Sequence, residues 1–221
     1  SNNDAGADNT VFGFLAGAAL ASGGDENVLI GDYAGNDLTT GDKNVVIGSE
    51  AGDAMTLSTR SVAIGSRALG GETVGDRTVA IGFASLSSQV SDSNNETTGN
   101  TAVGTETGFY NVTGTNNTYL GYNSGKGASE QSNSANTGVG ANALVAVSTG
   151  SSNTALGKDS SAAMTAGHNN VAIGTNSLEA YTTVGYALAI GNDAMVNGNS
   201  LAAADGPVAI GASIIGALPP G

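Results

Sequence analysis

One short alternation of polar, apolar and small residues runs along the chain from end to end. Asn27-Val28-Leu29-Ile30-Gly31 returns as Asn44-Val45-Val46-Ile47-Gly48, Ser61-Val62-Ala63-Ile64-Gly65, Thr78-Val79-Ala80-Ile81-Gly82, Asn170-Val171-Ala172-Ile173-Gly174 and Pro207-Val208-Ala209-Ile210-Gly211. Anchored on the glycine there are twelve copies, at Gly13, Gly31, Gly48, Gly65, Gly82, Gly104, Gly121, Gly140, Gly157, Gly174, Gly191 and Gly211, and seven of the eleven intervals are 17 residues. Self-similarity at a fixed period is the signature of a solenoid, in which each unit is too small to bury its own apolar face and relies on its neighbours.

Strand alternation puts the residue just before the glycine and the one three before it on one side, and the residue between them on the other. The flanking pair is bulky, whereas the middle residue is Ala in seven copies. These sizes predict that the bulky pair fills the inside of each coil and that the small residue lies where another backbone approaches. A small residue also stands three after the glycine in eleven copies, among them Ala34, Ala51, Ala68, Ser124, Ala143 and Ser177, as a narrow coil requires. The anchor glycine is expected at a corner with positive φ or no room for a Cβ. Asn opens eight copies, so asparagine side chains should stack and bond their own turns and one another. Two strands of roughly five residues per coil, with about 4.8 Å between coils, would give a flattened roll about 55 Å long.

Composition supports a repetitive object and removes several chemistries. The chain of 221 residues holds 35 Gly, only 5% aromatic residues, and neither Cys nor Trp. Disulfide scaffolds, thiolate metal sites and cysteine nucleophiles are therefore excluded. A net charge of −13 with six scattered bases argues against nucleic acid as a partner. The longest apolar run, Val11 to Ala21, is broken by Gly13 and Gly17 and falls short of the ~20 residues that span a bilayer, so no membrane insertion is expected. The start at Ser1-Asn2-Asn3 reads as that of a processed product or a piece of something longer. A continuous apolar or Ala-lined stripe along a thin roll needs a cover, and three copies around an axis are the expected solution.

The pattern Asn-Thr/Val-Ala-Ile/Leu-Gly with a small residue three on, as in Asn153-Thr154-Ala155-Leu156-Gly157 and Ser61-Val62-Ala63-Ile64-Gly65, resembles the head repeats of trimeric autotransporter adhesins. It is still more similar to the related repeats of bacteriophage tail fibres, since adhesin heads repeat at a shorter period than 17. The resemblance spans Asn9 to Ile215 and implies an all-β, left-handed parallel β-roll (β-solenoid) of about twelve coils, homotrimeric, on a virion or, alternatively, a bacterial surface. It further implies a structural or adhesive, non-enzymatic role in host attachment, with a host glycan or protein receptor and other tail proteins as partners. A tail-spike depolymerase is the rival from another class.

Residues 1–221 read as a single repeat domain, with 1–8 and 216–221 as end segments. Its structural positions include Asn27, Ile30, Gly31, Asn44, Ile47, Gly48, Ile64, Gly65, Ile81, Gly82, Asn170, Ile173 and Gly174. No catalytic, cofactor or metal site is expected. His168, the single histidine, reads as an exposed loop residue, and the acids Asp25, Glu26, Asp37 and Asp42 as solvated turns rather than calcium ligands. The three longest intervals are candidate receptor-contact loops: Gln89, Ser93 and Asn95 in the first, Glu130 in the second, Asn197 and Asn199 in the third.

Overall fold

The computed structural model describes residues 8–91, 93, 96–196 and 206–213. It is a β-solenoid with no helix among the described residues. The strands are β1 (Thr10–Phe12), β2 (Val28–Ile30), β3 (Val45–Ile47), β4 (Val62–Ile64), β5 (Val79–Ile81), β6 (Thr101–Val103), β7 (Thr118–Leu120), β8 (Thr137–Val139), β9 (Thr154–Leu156), β10 (Val171–Ile173), β11 (Leu188–Ile190) and β12 (Val208–Ile210). They form one 12-stranded sheet in sequence order, about eleven turns in all. Every pairing is parallel and keeps equivalent residues in register, as in Val62↔Val79, Ala63↔Ala80 and Ile64↔Ile81.

Only one strand of three residues is built per coil, not two of about five. The reason lies in the backbone. In each coil the residue two after the anchor glycine has positive φ, at Tyr33, Glu50, Arg67, Ala84, Glu106 and so on, and so does the residue four after it wherever it is described, as at Gly35, Gly52, Leu69 and Leu86. A single residue in this region turns the chain and cannot continue a strand. The coil beyond each strand is therefore a pair of linked turns. The first closes with Ala51 N–H on the Gly48 carbonyl at 3.3 Å and the second with Met55 N–H on that of Gly52 at 3.1 Å. Hydrogen bonds between coils persist through these turns, as from Gly52 N–H to Ala68 O (2.9 Å) and Glu50 N–H to Asp32 O (2.8 Å), so the backbone is satisfied around the perimeter.

The inside and outside of the strand are the reverse of the expectation from size. In β2 to β6, β10 and β11 the middle residue is fully enclosed while its two bulky neighbours are half-exposed. Alternation fixes which residues share a face but not which face points inward. Width decides that: the strand lies so close to the turns opposite that Ala is the common fit, and most Ile and Val are forced outside. Ala63, Ala80, Ala102, Ala155 and Ala172 have no exposed surface.

Core filling follows a compensation rule between the middle residue and the residue four after the glycine. A large middle residue is met by Gly: a Cβ on Gly35 would lie 3.0 Å from the Leu29 side chain, and one on Gly52 3.4 Å from Val46. A small middle residue is met by a large one in most coils, as in Ala63 with Leu69, Ala80 with Leu86, Gly138 with Leu144 and Ala172 with Leu178, all fully enclosed leucines, whereas Ala102 stands with Gly108 and Ala155 with Ser161. Leu38, Met55, Val147 and Met164, seven after the glycine, complete the apolar column.

The anchor glycines hold the corner as expected. Gly65 has φ +127, and a Cβ there would stand 2.6 Å from both the carbonyl carbon and oxygen of Gly82 in the next coil. Gly65→Ala should cost at least about 3 kcal/mol through strain and backbone collision. Gly70→Ala, at a position without positive φ where a Cβ would meet nothing nearer than 3.3 Å, should stay within about 1 kcal/mol. Urea unfolding of the two variants followed by circular dichroism checks the contrast.

Candidate interaction surface

The outward residues of the sheet form two uninterrupted columns, and all 24 positions, two on each of twelve strands, are uncharged. The first column contains Val28, Val45, Val62 and Val79, then Thr101, Thr118, Thr137 and Thr154, then Val171, Leu188 and Val208. The second contains Ile30, Ile47, Ile64 and Ile81, then Val103, Leu120, Val139 and Leu156, then Ile173, Ile190 and Ile210. Phe12 is 77% exposed, Ile210 62%, Leu120 47% and Leu156 46%, a run of exposed apolar groups well beyond scattered surface residues. Acids occur throughout the chain but stay off this face. Arg67 pairs with Glu50 at 2.7 Å and Lys43 with Glu26 at 3.5 Å, each across one coil step at the corners beside the sheet.

A buried asparagine ladder backs the face. Asn27 Oδ1 accepts from the backbone N–H of Asn44 (3.0 Å) and from its Nδ2 (3.0 Å), while Asn27 Nδ2 donates to the Gly41 carbonyl (2.9 Å). The unit repeats through Asn100, Asn117, Asn136, Asn153 and Asn170, ending where Asn170 Oδ1 accepts from Ala187 N–H at 2.8 Å. Ser61 and Thr78 carry the ladder through β4 and β5, with Ser61 N–H on Asn44 Oδ1 at 2.9 Å. Each amide thus ties its strand to the neighbouring strand and to the far turn.

Tyr119 is the largest enclosed side chain and occupies a middle position. Gly138 in the next coil makes room for it, since a Cβ there would lie 3.0 Å from the ring. Its hydroxyl donates to Asn133 Oδ1 at 2.5 Å and lies 3.3 Å from Asn117 Oδ1, and burial pushes the phenol far above its ordinary range. Glu72 is also fully enclosed, at the position Leu38 and Met55 take in earlier coils. Its Oε1 accepts from the N–H groups of Thr73, Val74, Gly75 and Ser91, and its Oε2 from the Ser91 hydroxyl. Both residues could have been found by aligning coils on the anchor glycine and noting the odd occupant of an apolar column.

The residues expected as contact loops divide. Ser93 and Glu130 are exposed, and Asn95, Asn197 and Asn199 lie outside the described residues. Gln89 is corrected from surface contact to interior: it is 1% exposed and its Oε1 accepts from Asn100 Nδ2 (2.8 Å) and Asn111 Nδ2 (3.3 Å). The first long interval starts by turning inward because Gln89 continues the polar column opened by Glu72. Its outer part is tied back by an Asp76↔Thr97 bridge and by Asp76 N–H on the Glu96 carbonyl at 2.8 Å. His168 is exposed, edge-on to Tyr186 with ring centroids 5.4 Å apart. Burial, with the charges of Glu50 and Asp37 adding to it, raises the Asp53 carboxyl above its ordinary range, while hydrogen bonds from Lys158 and Asn142 hold Asp159 below it.

Among the described residues there is no group of three or more His, Cys, Asp or Glu placed to hold a metal ion, and no helix long and apolar enough to cross a membrane. A scan against protein-family models and searches of curated proteins and of solved structures return no match.

Replacing Asn117 by Asp tests the ladder. The new oxygen would face the carbonyl of Asn133 and Oδ1 of Asn100, which Asn117 Nδ2 now approaches to 2.7 and 3.2 Å. The variant should lose about 3 kcal/mol at neutral pH. Its folded-state pKa would be raised, so the loss is full above that pKa and shrinks as pH falls through it. The exposed Asn116→Asp should change stability by no more than ~0.5 kcal/mol, and melting curves from pH 4 to 8 distinguish the two.

Proposed function

We propose that this chain is a non-enzymatic attachment element of a bacteriophage tail fibre or similar virion appendage, working as a trimer of parallel rods. The observation that carries the reading is the pair of uncharged, largely apolar columns running along all twelve coils, broken only by threonine at Thr10 and at Thr101, Thr118, Thr137 and Thr154. A second copy is the occupant that best fits them. A chain of net charge −13 repels its own kind everywhere except on a face free of charge, and two copies present identical, equally spaced columns.

Three copies suit the width of the face better than two. A strand with only two outward positions makes a narrow ridge, so three ridges can meet about one axis, with the first columns of all three copies gathered at the axis and the bulkier second columns packed around them. That arrangement closes a ring and leaves no column uncovered. Host binding then falls to exposed loops such as that around Glu130, or to the flanks and ends of the rod. The assembled charge is −39, from 3 × −13.

Light scattering should give about 64 kDa, from 3 × 21.4 kDa, with the sedimentation of an elongated particle. Ile47→Asp combined with Ile64→Asp should give a folded single copy near 21.4 kDa with the same circular dichroism, because both side chains point outward. A parent chain that runs as a compact single copy contradicts the assembly.

The attachment role is read separately, on glycan arrays and on intact bacteria. Labelled parent protein should bind at least one envelope glycan or cell surface, and the Ile47→Asp/Ile64→Asp variant should bind it at least about tenfold more weakly through lost avidity. Absence of any binding argues against attachment, and release of reducing ends from a host polysaccharide argues for the depolymerase instead.

A further inference from the structure

The two outward columns change character together, at the same two boundaries. Between β5 and β6 the first column passes from Val to Thr and the second from Ile to Val or Leu, and between β9 and β10 both return. Thr101, Thr118, Thr137 and Thr154 therefore form an in-register hydroxyl ladder four rungs long, with apolar stretches on either side. Independent drift in two columns would not place its limits at the same steps.

We infer that this block is a register key for self-association, fixing how copies of the chain align along the rod. The inference rests on the assembly proposed above and deepens it. Near-identical rungs about 4.8 Å apart create an ambiguity, because copies displaced by one rung still bury nearly the same apolar face. The threonines remove it. In register, hydroxyls from different copies lie at one height and can bond one another, whereas a one-rung slip sets Thr against Val at both ends of the block, leaving hydroxyls in an apolar seam without partners.

The block also selects direction. It occupies strands 6 to 9 of twelve, so reversing one copy at full overlap (strand k against strand 13 − k) sets it against strands 7 to 4 and matches only two of the four threonines. Parallel, unslipped copies are the one fully overlapping arrangement that matches all four.

The chain has no cysteine, so introduced ones report alignment without background. Chains carrying Val45→Cys and chains carrying Val62→Cys are refolded together, oxidised, and the linked peptides counted by mass spectrometry. Links between like positions mark aligned copies and 45–62 links mark a one-rung slip. In the parent background, aligned links should exceed slipped ones by about tenfold or more. In a Thr101→Val/Thr118→Val/Thr137→Val/Thr154→Val background of unchanged mass by light scattering, the excess should largely vanish.

A constructive variant covers the case in which the four-Val chain misfolds. Val79→Thr with Thr154→Val moves the block one rung toward β1. That chain carrying Val45→Cys, mixed with the parent carrying Val62→Cys, should form 45–62 links preferentially. Equal slipped fractions in all backgrounds, with associated mass retained, overturn the register key and leave the assembly standing. A parent of single-copy mass with no links overturns the assembly and the key with it.

Discussion

The narrowness of the coil governs the rest of this protein. With strand and turns so close, the interior admits Ala at most middle positions and a larger residue only where Gly stands opposite, so no coil can fold around a core of its own. Cohesion comes instead from stacking, which repeats the same backbone hydrogen bonds along every side of the perimeter. The anchor glycines permit that stacking because a Cβ at Gly48 or Gly65 would strike the coil above. Among the described residues the backbone is held in a sparsely populated conformation at nearly thirty positions other than glycine, among them Glu50, Arg67 and Leu69, and only the continuous hydrogen-bonding of the stack can offset that strain.

The same constraint explains why the apolar surface lies outside. At most middle positions a side chain the size of Ile or Val has no room within, Leu29 and Val46 entering only where Gly35 and Gly52 stand opposite, so a chain that needs β-branched residues for its strands must display most of them. Displayed on one strand per coil, they align into columns. Columns without charge set this face apart from the rest of a strongly acidic chain. The asparagine ladder behind them is the polar counterpart of a core, with each amide spanning two coils and a far turn, and it keeps the sheet in a single register.

Polar residues enter the interior where the repeat is perturbed. Glu72 and Gln89 replace the Leu and Met of earlier coils next to the longest interval, and the carboxylate is satisfied by a fan of backbone N–H groups that includes Ser91 at the start of the extra residues. Length irregularity is thus absorbed by buried hydrogen bonds as well as by surface looping. Tyr119 is the apolar equivalent, a single oversized residue accommodated by Gly138 in the next coil and by Gly125 in its own.

Much of this was legible without coordinates. A 17-residue period of strand-like alternation with a glycine at each return specifies stacked β-coils, since collagen and coiled coils repeat more briefly and helical or propeller repeats run longer. The asparagine stack, the positive φ of the anchor glycines and the small residue three beyond them follow from the same spacing. Alternation could not say which face of the strand looks inward, because period two is symmetrical; only the distance to the opposite turns resolves it, and that distance depends on Tyr33, Glu50 and their equivalents adopting a conformation their residue types do not announce. Nor could spacing show that Gln89 turns inward, since an insertion is visible as added length whereas burial depends on what the neighbouring coil, here through Glu72, has already placed in the core. The sequence by itself determined the repeat and its stacking, a property of order along the chain; the tertiary structure decided what is inside and what is presented, a property of width that no single coil encodes.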